Sequence, residues 1–334
     1  MKKKILLYKK IPEQEFQRLA ERFDVTYFPI INDSNRHAFF TALAEAEGII
    51  GSSVAMGTDV LNQAVKLKAA STISVGTDQF DLAYLAGRGI PLMHTPNVLN
   101  ETTADTLFTL IVCTARRAIE MSKMVTEGRW TKSIDEQSYG TDVHGKTLGI
   151  IGMGRIGYAL AKRGHFGFNM RIQYANRHRN ISAEQDLNAT YLEMETLLKT
   201  SDFICVMTPL TVHTERLIGA KEFALMKKSA IFINGSRGKV IDEKALINAL
   251  STGSIRAAGL DVFEVEPLPI DSPLCSLDNA VLFPHIGSAT TETRLKMVSC
   301  AVDNLIRALE GDISRYCANQ HLLDTRDAYT SSAE

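Results

Sequence analysis

The chain lacks a surplus of charge of either sign. Its 334 residues contain 37 Lys and Arg against 38 Asp and Glu, which leaves a formal net charge of −1. Proteins whose main partner is nucleic acid or an anionic membrane usually carry a basic surplus. The composition therefore gives no electrostatic reason to expect either partner, and it favours a small-molecule ligand.

Cysteine patterns and long apolar stretches are also missing. The five cysteines are scattered, odd in number and never spaced as C-x-x-C, so the sequence predicts neither a disulfide framework nor a metal site. No stretch approaches the roughly eighteen uncharged apolar residues that a membrane span needs. The apolar run Ile5–Tyr8 ends at Lys9 without a small-residue cleavage site, which favours a first strand over a signal peptide. We therefore expect a cytoplasmic protein with reduced cysteines.

Length and hydrophobic patterning predict two α/β domains, each with a doubly wound parallel sheet. Hydrophobic residues make up 45% of the chain, which at this length can fill more than one core. Short apolar runs alternate with helical patterns in both halves, as is typical of βαβ units and parallel sheets. The predicted strands are Ile5–Tyr8, Val25–Phe28, Gly48–Gly51, Leu67–Ser74, Pro91–His94, Lys146–Ile151, Arg171–Tyr174, Phe203–Met207, Ala230–Ile233, Ala257–Leu260 and Val281–Phe283.

Two long helical patterns, Glu101–Lys123 and Ser288–Leu309, indicate that the chain enters a second domain and later returns to the first. We predict one doubly wound domain from residues 1–100 and 288–323, and a second from residues 101–287. The polar residues 324–334 are predicted to be a disordered tail. The double crossing predicts a hinge and a cleft, and clefts at the carboxyl ends of parallel strands are common ligand sites.

A glycine fingerprint follows the strand predicted at Lys146–Ile151. It reads G-x-G-x-x-G from Gly152 to Gly157 and passes directly into a helical pattern. Gly152 permits a tight strand-to-helix turn, Gly154 lets the backbone approach a pyrophosphate, and Gly157 permits close packing of helix on strand. Free N–H groups and the positive dipole of the helix N-terminus would bind the phosphates. Glycines also cluster in ordinary turns, but the flanking strand and helix favour a dinucleotide site.

The next strand ends without the acidic residue that binds the ribose 2′-OH of NAD. That acid is expected about twenty residues beyond the glycines, but the chain has Asn176, Arg177, His178 and Arg179 there. The segment lacks a carboxylate that would repel a 2′-phosphate, and its two guanidiniums can bind one through charge-assisted hydrogen bonds. The sequence thus favours NADPH, with NADH as a possible second cofactor. A solvated basic turn with no role in binding is the alternative interpretation.

Three residues with suitable chemistry follow later predicted strands: Arg237, Glu266 and His285. A guanidinium can hold a substrate carboxylate and polarise the neighbouring carbonyl. A histidine pairs naturally with a carboxylate, which orients the ring and favours its charged form. Together the three describe a proton donor for the reduction of a ketone. Each residue alone is common in surface loops, so the hypothesis depends on all three.

Four ordered motifs resemble those of the D-isomer-specific 2-hydroxyacid dehydrogenases. Besides the glycine fingerprint, they are Asn234–Gly238, Ala258–Phe263 with Glu266-Pro267, and Pro284–Ser288. The resemblance runs from the first strand to about Leu309, and is strongest for the bacterial glyoxylate/hydroxypyruvate reductases that also reduce 2-ketogluconate. It implies a flavodoxin-like substrate domain over residues 1–100 and 288–323 and a Rossmann dinucleotide-binding domain over residues 101–287. It also implies an oxidoreductase that forms a homodimer. It also implies NADPH-dependent reduction of glyoxylate, hydroxypyruvate and 2-keto-D-gluconate to D-2-hydroxy acids, with His285 as proton donor.

The resemblance further implies which residues bind each ligand. The catalytic residues would be Arg237, Glu266 and His285. The substrate-binding residues would be Val75, Gly76, Arg237, His285 and Ser288. The cofactor-binding residues would be Gly152, Gly154, Arg155, Ile156, Gly157, Asn176, Arg177, His178, Arg179, Thr208, Pro209, Gly235, Ser236, Asp261 and Gly287. The chain departs from the family at Thr77, where tyrosine is more usual, and at Ser138, near which related reductases often carry a tryptophan; that role is not transferred to Trp130.

Two alternatives stay open at this point. One is an NAD-dependent relative acting on phosphoglycerate or lactate, which the basic segment Asn176–Arg179 disfavours. The other is a dinucleotide-sensing binding protein like certain corepressors, which share the fold and the three candidate catalytic residues. The chain shows no basic arm or long interaction segment of the kind such a regulator would use.

Overall fold

The chain folds as two units, and the computed structural model describes the backbone of residues 1–331 and the side chains of residues 1–325. Unit 1 contains Met1–Val98 and the chain from Thr290 onward, and unit 2 contains Leu99–Ala289. The observed crossings follow residues 98 and 289, whereas the sequence placed them after residues 100 and 287.

Twelve strands and thirteen α-helices are assigned in the described residues. The strands are β1 (Lys4–Leu7), β2 (Asp24–Tyr27), β3 (Gly48–Gly51), β4 (Ala69–Thr72), β5 (Leu92–Met93), β6 (Thr147–Ile151), β7 (Arg171–Ala175), β8 (Thr190–Tyr191), β9 (Phe203–Val206), β10 (Ile231–Asn234), β11 (Ala257–Leu260) and β12 (Ala280–Leu282). The helices are α1 (Glu13–Arg22), α2 (Arg36–Glu45), α3 (Thr58–Leu61), α4 (Leu82–Gly87), α5 (Asn100–Ala115), α6 (Ala118–Thr126), α7 (Arg155–Lys162), α8 (Ile181–Leu187), α9 (Met194–Thr200), α10 (Ala220–Leu225), α11 (Glu243–Ser251), α12 (Thr291–Leu309) and α13 (Gln320–Ser331). None of these helices combines the length and apolarity needed to cross a bilayer.

Unit 1 contains a parallel sheet in the order β2-β1-β3-β4-β5, which is the flavodoxin order. Its central strands are apolar without alternation because helices cover both faces of a parallel sheet. Leu6, Ile49, Ala70 and Leu92 are completely buried, and Phe39 of α2 packs into the same core. The predicted flavodoxin-like fold is confirmed for this unit.

Unit 2 contains a seven-stranded parallel sheet in the order β12-β11-β10-β9-β6-β7-β8. The first strand of this sheet along the chain, β6, lies in the middle of the sheet. Later strands lie on both sides of it, β7 and β8 on one side and β9 to β12 on the other, which is the Rossmann arrangement. The switch point lies between β6 and β9, and the glycine fingerprint begins directly after β6. Separate apolar clusters, including Leu148 with Tyr174 and Ile204 with Phe232, fill the two faces of the sheet. The predicted Rossmann fold is confirmed.

The prediction of a single helix over Glu101–Lys123 is wrong. Helix α5 ends at Ala115 and α6 begins at Ala118, with Arg117 in a left-handed conformation at φ 52°. The break is stabilised by a distant segment, because Thr141 N–H donates to the Ala115 carbonyl at 2.8 Å. Arg117 also donates to the carbonyl of Gln137. Helical periodicity continues through the break, so the sequence pattern does not reveal it.

The prediction of a disordered tail over residues 324–334 is corrected for residues 324–331, because α13 runs from Gln320 to Ser331. Asn319, fully buried, anchors the start of this helix: its side chain donates to the Ile90 carbonyl at 2.9 Å and accepts from the Leu92 N–H at 2.9 Å. Leu323 is buried as well. Residues 332–334 of the predicted tail lie outside the described residues.

Candidate active site

Three neighbouring strands of unit 2 carry the candidate catalytic residues. Arg237 follows β10, Glu266 follows β11, and His285 follows β12. The three strands are adjacent and parallel, so the loops at their carboxyl ends meet at one edge of the sheet. Residues far apart in sequence therefore lie in one region.

His285 and Glu266 form a direct hydrogen-bonded pair. The distance from His285 Nδ1 to Glu266 Oε2 is 2.7 Å. The other carboxylate oxygen, Oε1, accepts from the Phe263 N–H at 3.0 Å, which fixes the carboxylate plane. Because Nδ1 is occupied, Nε2 is the ring atom that can exchange a proton with a ligand. The imidazole is about half exposed, so a ligand can reach it.

The pKa of Glu266 is lowered by its surroundings. Burial alone would raise this pKa, but it is outweighed by the hydrogen bond from His285, the Phe263 N–H, and the charges of His285 and Arg237. Glu266 therefore remains a carboxylate at neutral pH.

The backbone of His285 is held in an unusual conformation. Its φ is 54°, in the left-handed region that non-glycine residues rarely adopt. The carboxylate of Asp261, which is 3% exposed, accepts from the N–H groups of Ile286 at 2.7 Å and Gly287 at 2.8 Å. Burial raises the pKa of Asp261, and these two N–H groups offset only part of the rise. Asp261 thus ties the end of β11 to the loop that presents His285.

Arg237 is positioned by the side chain of Asn234, the last residue of β10. Asn234 is fully buried; its Oδ1 accepts from the Ser236 N–H at 3.1 Å, and its Nδ2 donates to the Arg237 carbonyl at 3.1 Å. A Cβ atom on Gly238 would lie 1.8 Å from the Phe263 carbonyl carbon, so only glycine lets these two loops touch. The positive charge of Arg237 is one of the causes that lower the pKa of Glu266.

The glycine fingerprint has the geometry of a phosphate cradle. Gly152 has φ 103°, and a Cβ there would lie 2.7 Å from the Met207 carbonyl carbon, so the turn requires glycine. In contrast, a Cβ on Gly154 would meet no described atom within 4 Å, which leaves open space in front of α7. Within the described part of the chain, no side chain caps the N-terminus of α7, so its first N–H groups can serve a ligand.

A buried hydroxyl near this turn also fits a polar ligand. Thr208 Oγ1 is buried but has no hydrogen-bond partner among the described residues. Buried polar atoms normally have partners, so an unsatisfied one in a native structure needs an explanation. Thr208 follows β9, the strand beside β6. The fingerprint turn and Thr208 therefore fit the pyrophosphate and ribose of a dinucleotide.

The segment predicted to bind a 2′-phosphate lies beside a carboxylate that sequence reasoning missed. Residues Asn176–Arg179 are exposed, but Arg179 is paired with Glu184 of α8. Its Nε donates to Glu184 Oε1 at 2.9 Å, and Nη2 donates to Oε2. Arg177 makes no side-chain hydrogen bond or ion pair within residues 1–325. Of the two arginines predicted to bind a 2′-phosphate, Arg179 is therefore paired with a carboxylate, and Arg177 has no such partner within residues 1–325.

Val75 and Gly76 belong to unit 1, in the loop that follows β4. The Val75 carbonyl oxygen lies 3.0 Å from His94 Nδ1, and it accepts a hydrogen bond when that nitrogen is protonated. Ser74 Oγ donates to the Gly76 carbonyl at 2.5 Å. His94 is held in turn by Asn304 of α12, whose Nδ2 donates to its carbonyl at 2.8 Å. Sequence reasoning missed these supports, because a histidine at a strand end carries no specific pattern.

A glycine-fingerprint turn and a His–Glu pair at the carboxyl edge of one Rossmann sheet are the arrangement that a dinucleotide-dependent dehydrogenase needs. The model of the D-isomer specific 2-hydroxyacid dehydrogenase NAD-binding domain matches residues 108–287. A glyoxylate/hydroxypyruvate reductase B from Citrobacter koseri is 55% identical over 319 residues, covering 96% of this chain and 98% of that protein.

Solved structures agree with this result. A protein from Thermus thermophilus is 38% identical with a TM-score of 0.86, covering 94% of this chain and 99% of its own. An NADPH-dependent glyoxylate/hydroxypyruvate reductase from Sinorhizobium meliloti, solved with NADP and malonate, is 29% identical with a TM-score of 0.81, covering 92% of this chain and 94% of its own. The chain belongs to the D-isomer-specific 2-hydroxyacid dehydrogenase family, and the resemblance seen in the sequence is confirmed. It is therefore an NAD(P)-dependent enzyme.

Proposed function

We propose that this enzyme reduces glyoxylate, hydroxypyruvate and 2-keto-D-gluconate to D-2-hydroxy acids, with NADPH as the preferred cofactor. The first two substrates are supported by the name of the Citrobacter koseri relative. The third rests on the resemblance in the motifs. The observation that carries the proposal is the 2.7 Å contact between His285 Nδ1 and Glu266 Oε2 at the carboxyl edge of the unit 2 sheet.

His285 is the proposed proton donor. Reduction of a 2-keto acid adds a hydride to C2 and a proton to the carbonyl oxygen, and bound NADPH supplies the hydride. The protonated imidazole gives its Nε2 proton to the oxygen as negative charge develops there, and is left neutral. Glu266 orients the ring through Nδ1 and stabilises its charged form before the transfer.

Arg237 is the proposed anchor for the substrate. Its guanidinium can bind the carboxylate and the neighbouring carbonyl oxygen through directional, charge-assisted hydrogen bonds. Ser288 and the N–H groups of Val75 and Gly76 are the other proposed substrate contacts. Asp261, whose carboxylate accepts from the His285 loop, keeps lone pairs that can also accept from the amide of the nicotinamide.

The remaining proposed cofactor contacts follow the path of a dinucleotide. The pyrophosphate would lie at Arg155 and Ile156, the first residues of α7. The 2′-phosphate would lie at Asn176–Arg179, which supports NADPH because the segment itself offers no carboxylate. The other proposed contacts are Thr208, Pro209, Gly235, Ser236 and Gly287.

We also propose a homodimer formed through α5, α6 and the neighbouring segments. Trp130, Ile134 and Phe166 are large apolar side chains that are more than half exposed in unit 2, and exposed apolar patches often mark protein interfaces. Light scattering is expected to give about twice the 36.8 kDa chain mass. A mass equal to one chain at micromolar concentration would contradict this assignment.

Replacing His285 by alanine is expected to lower kcat by about 10²- to 10⁴-fold, because the proton donor is removed. NADPH binding, measured by calorimetry, should stay within about twofold of wild type, since nothing in the cradle changes. The exposed His144, which lies before β6, offers the matched control His144→Ala with normal turnover. Near-normal kcat in His285→Ala would refute the role of His285.

Replacing Arg237 by alanine is expected to raise KM for the keto acid as well as lower kcat, since the guanidinium binds the substrate in both ground and transition states. Steady-state kinetics with glyoxylate would separate the two parameters. An unchanged KM would remove Arg237 from the substrate site.

Glu266→Gln is expected to move the alkaline limb of the pH–rate profile for reduction to lower pH. Reduction needs a protonated imidazole, and the neutral amide no longer favours the charged ring. Because the pKa of Glu266 is lowered, its own protonation affects wild-type turnover only on the acid side, below the usual range of a glutamic acid. A profile with both limbs unmoved would show that Glu266 has only a structural role.

Wild-type kcat/KM is expected to be at least about tenfold higher with NADPH than with NADH, the amount that one charge-assisted hydrogen bond to phosphate can supply. The same measurement across glyoxylate, hydroxypyruvate, 2-keto-D-gluconate and pyruvate would rank the substrates. Preference for NADH would favour the NAD-dependent alternative, and absence of turnover with every acid would favour a dinucleotide-sensing role.

A further inference from the structure

The Arg179–Glu184 ion pair belongs to a larger hydrogen-bond network. Tyr174, whose side chain is buried at the end of β7, donates its hydroxyl hydrogen to Glu184 Oε1 at 2.6 Å. The same hydroxyl accepts from the Asn180 N–H at 2.8 Å. Glu184 is therefore held by a buried residue on one side and by Arg179 on the other. It is not a surface carboxylate that pairs by chance.

This network is attached to the glycine fingerprint. Asn180 Nδ2 donates to the carbonyl of Met153, the residue between Gly152 and Gly154, at 3.0 Å. Asn180 Oδ1 also accepts from the Ala183 N–H at 3.0 Å and so caps α8. The carboxylate of Glu184 is thus fixed beside the loop Asn176–Arg179, in the same small region as the dinucleotide cradle.

The charge of this region differs from the one that the loop sequence indicates. Arg177 and Arg179 contribute two positive charges, and Glu184 removes one. The hydrogen bond from Arg179, and then the one from Tyr174, lowers the pKa of Glu184, so it is ionised at neutral pH. A 2′-phosphate approaching the loop would meet a fixed negative charge, and would have to share Arg179 with it.

We propose that Glu184 determines how strongly the enzyme prefers NADPH over NADH. It neutralises Arg179, leaves Arg177 as the principal cation for the 2′-phosphate, and limits selectivity through charge repulsion. NADH carries no 2′-phosphate, so it escapes this charge repulsion by Glu184. This inference rests on the proposed 2′-phosphate site, and it adds a residue from α8 that lies outside the loop motif.

Glu184→Gln is the direct test, because glutamine keeps an oxygen that can accept from Tyr174 but loses the charge. Calorimetry with adenosine 2′,5′-bisphosphate and adenosine 5′-monophosphate measures 2′-phosphate recognition without turnover. The ratio of their affinities should rise about 3- to 10-fold in favour of the bisphosphate, the effect of one released charge-assisted contact. KM for NADPH should fall in parallel, with kcat and KM for NADH unchanged.

Two control variants separate charge from structure. Glu184→Asp keeps the charge and should behave like wild type. Glu195→Gln removes an exposed carboxylate on α9 that pairs with Lys199, and should leave the affinity ratio unchanged. Thermal melts of all three variants report whether the fold is retained.

Substitution of Arg177 and Arg179 provides an independent test. Arg177→Ala should lose most of the added affinity for the bisphosphate, whereas Arg179→Ala combined with Glu184→Gln should lose much less, because the two charges removed already cancel each other. Equal losses in the two variants, or an affinity ratio in Glu184→Gln that stays constant or falls, would overturn the inference. Absence of keto acid turnover together with the expected affinity change would refute the proposed reductase activity and leave this inference standing.

Discussion

The candidate active site depends on the hydrogen bonds that the carboxylate of Asp261 accepts. This carboxylate is buried at the end of β11 and accepts from two successive N–H groups of the loop after β12. Those two hydrogen bonds hold His285 in a left-handed conformation that an isolated loop would not favour. Glu266, a few residues further along the same chain segment, then holds the ring. One strand end therefore controls both the backbone and the side chain of the proposed proton donor.

The parallel sheet explains why such distant residues can cooperate. In a doubly wound sheet all strands point the same way, so every loop at the carboxyl edge is available to one site. Asn234 and Gly238 bring the Arg237 loop against the loop that carries Glu266. The fingerprint turn after β6 opens at the same edge of the same sheet. Solved relatives share this fold over nearly their whole length.

Much of this fold could be predicted because apolar periodicity reports burial directly. Strands β3 and β11 were predicted with their observed bounds. The errors have identifiable causes. The break at Arg117 is stabilised by hydrogen bonds to residues 137–141, and the start of α13 is anchored by Asn319 pairing with β5. The two-residue strand β8, which lies at the edge of the sheet beside β7, was not predicted. Local periodicity contains no information about such long-range contacts.

The sequence by itself determined the fold class, the fingerprint glycines and the types of residue that the proposed chemistry needs, because those features are local in the chain. Only the tertiary structure decided how they are used. It pairs Arg179 with Glu184, binds Asp261 to the His285 loop, and supports the Val75 loop with His94. The first contact joins two side chains, and the other two join a side chain to a backbone group of another loop. Their existence depends on the positions of neighbouring strands and helices, which no short stretch of sequence specifies.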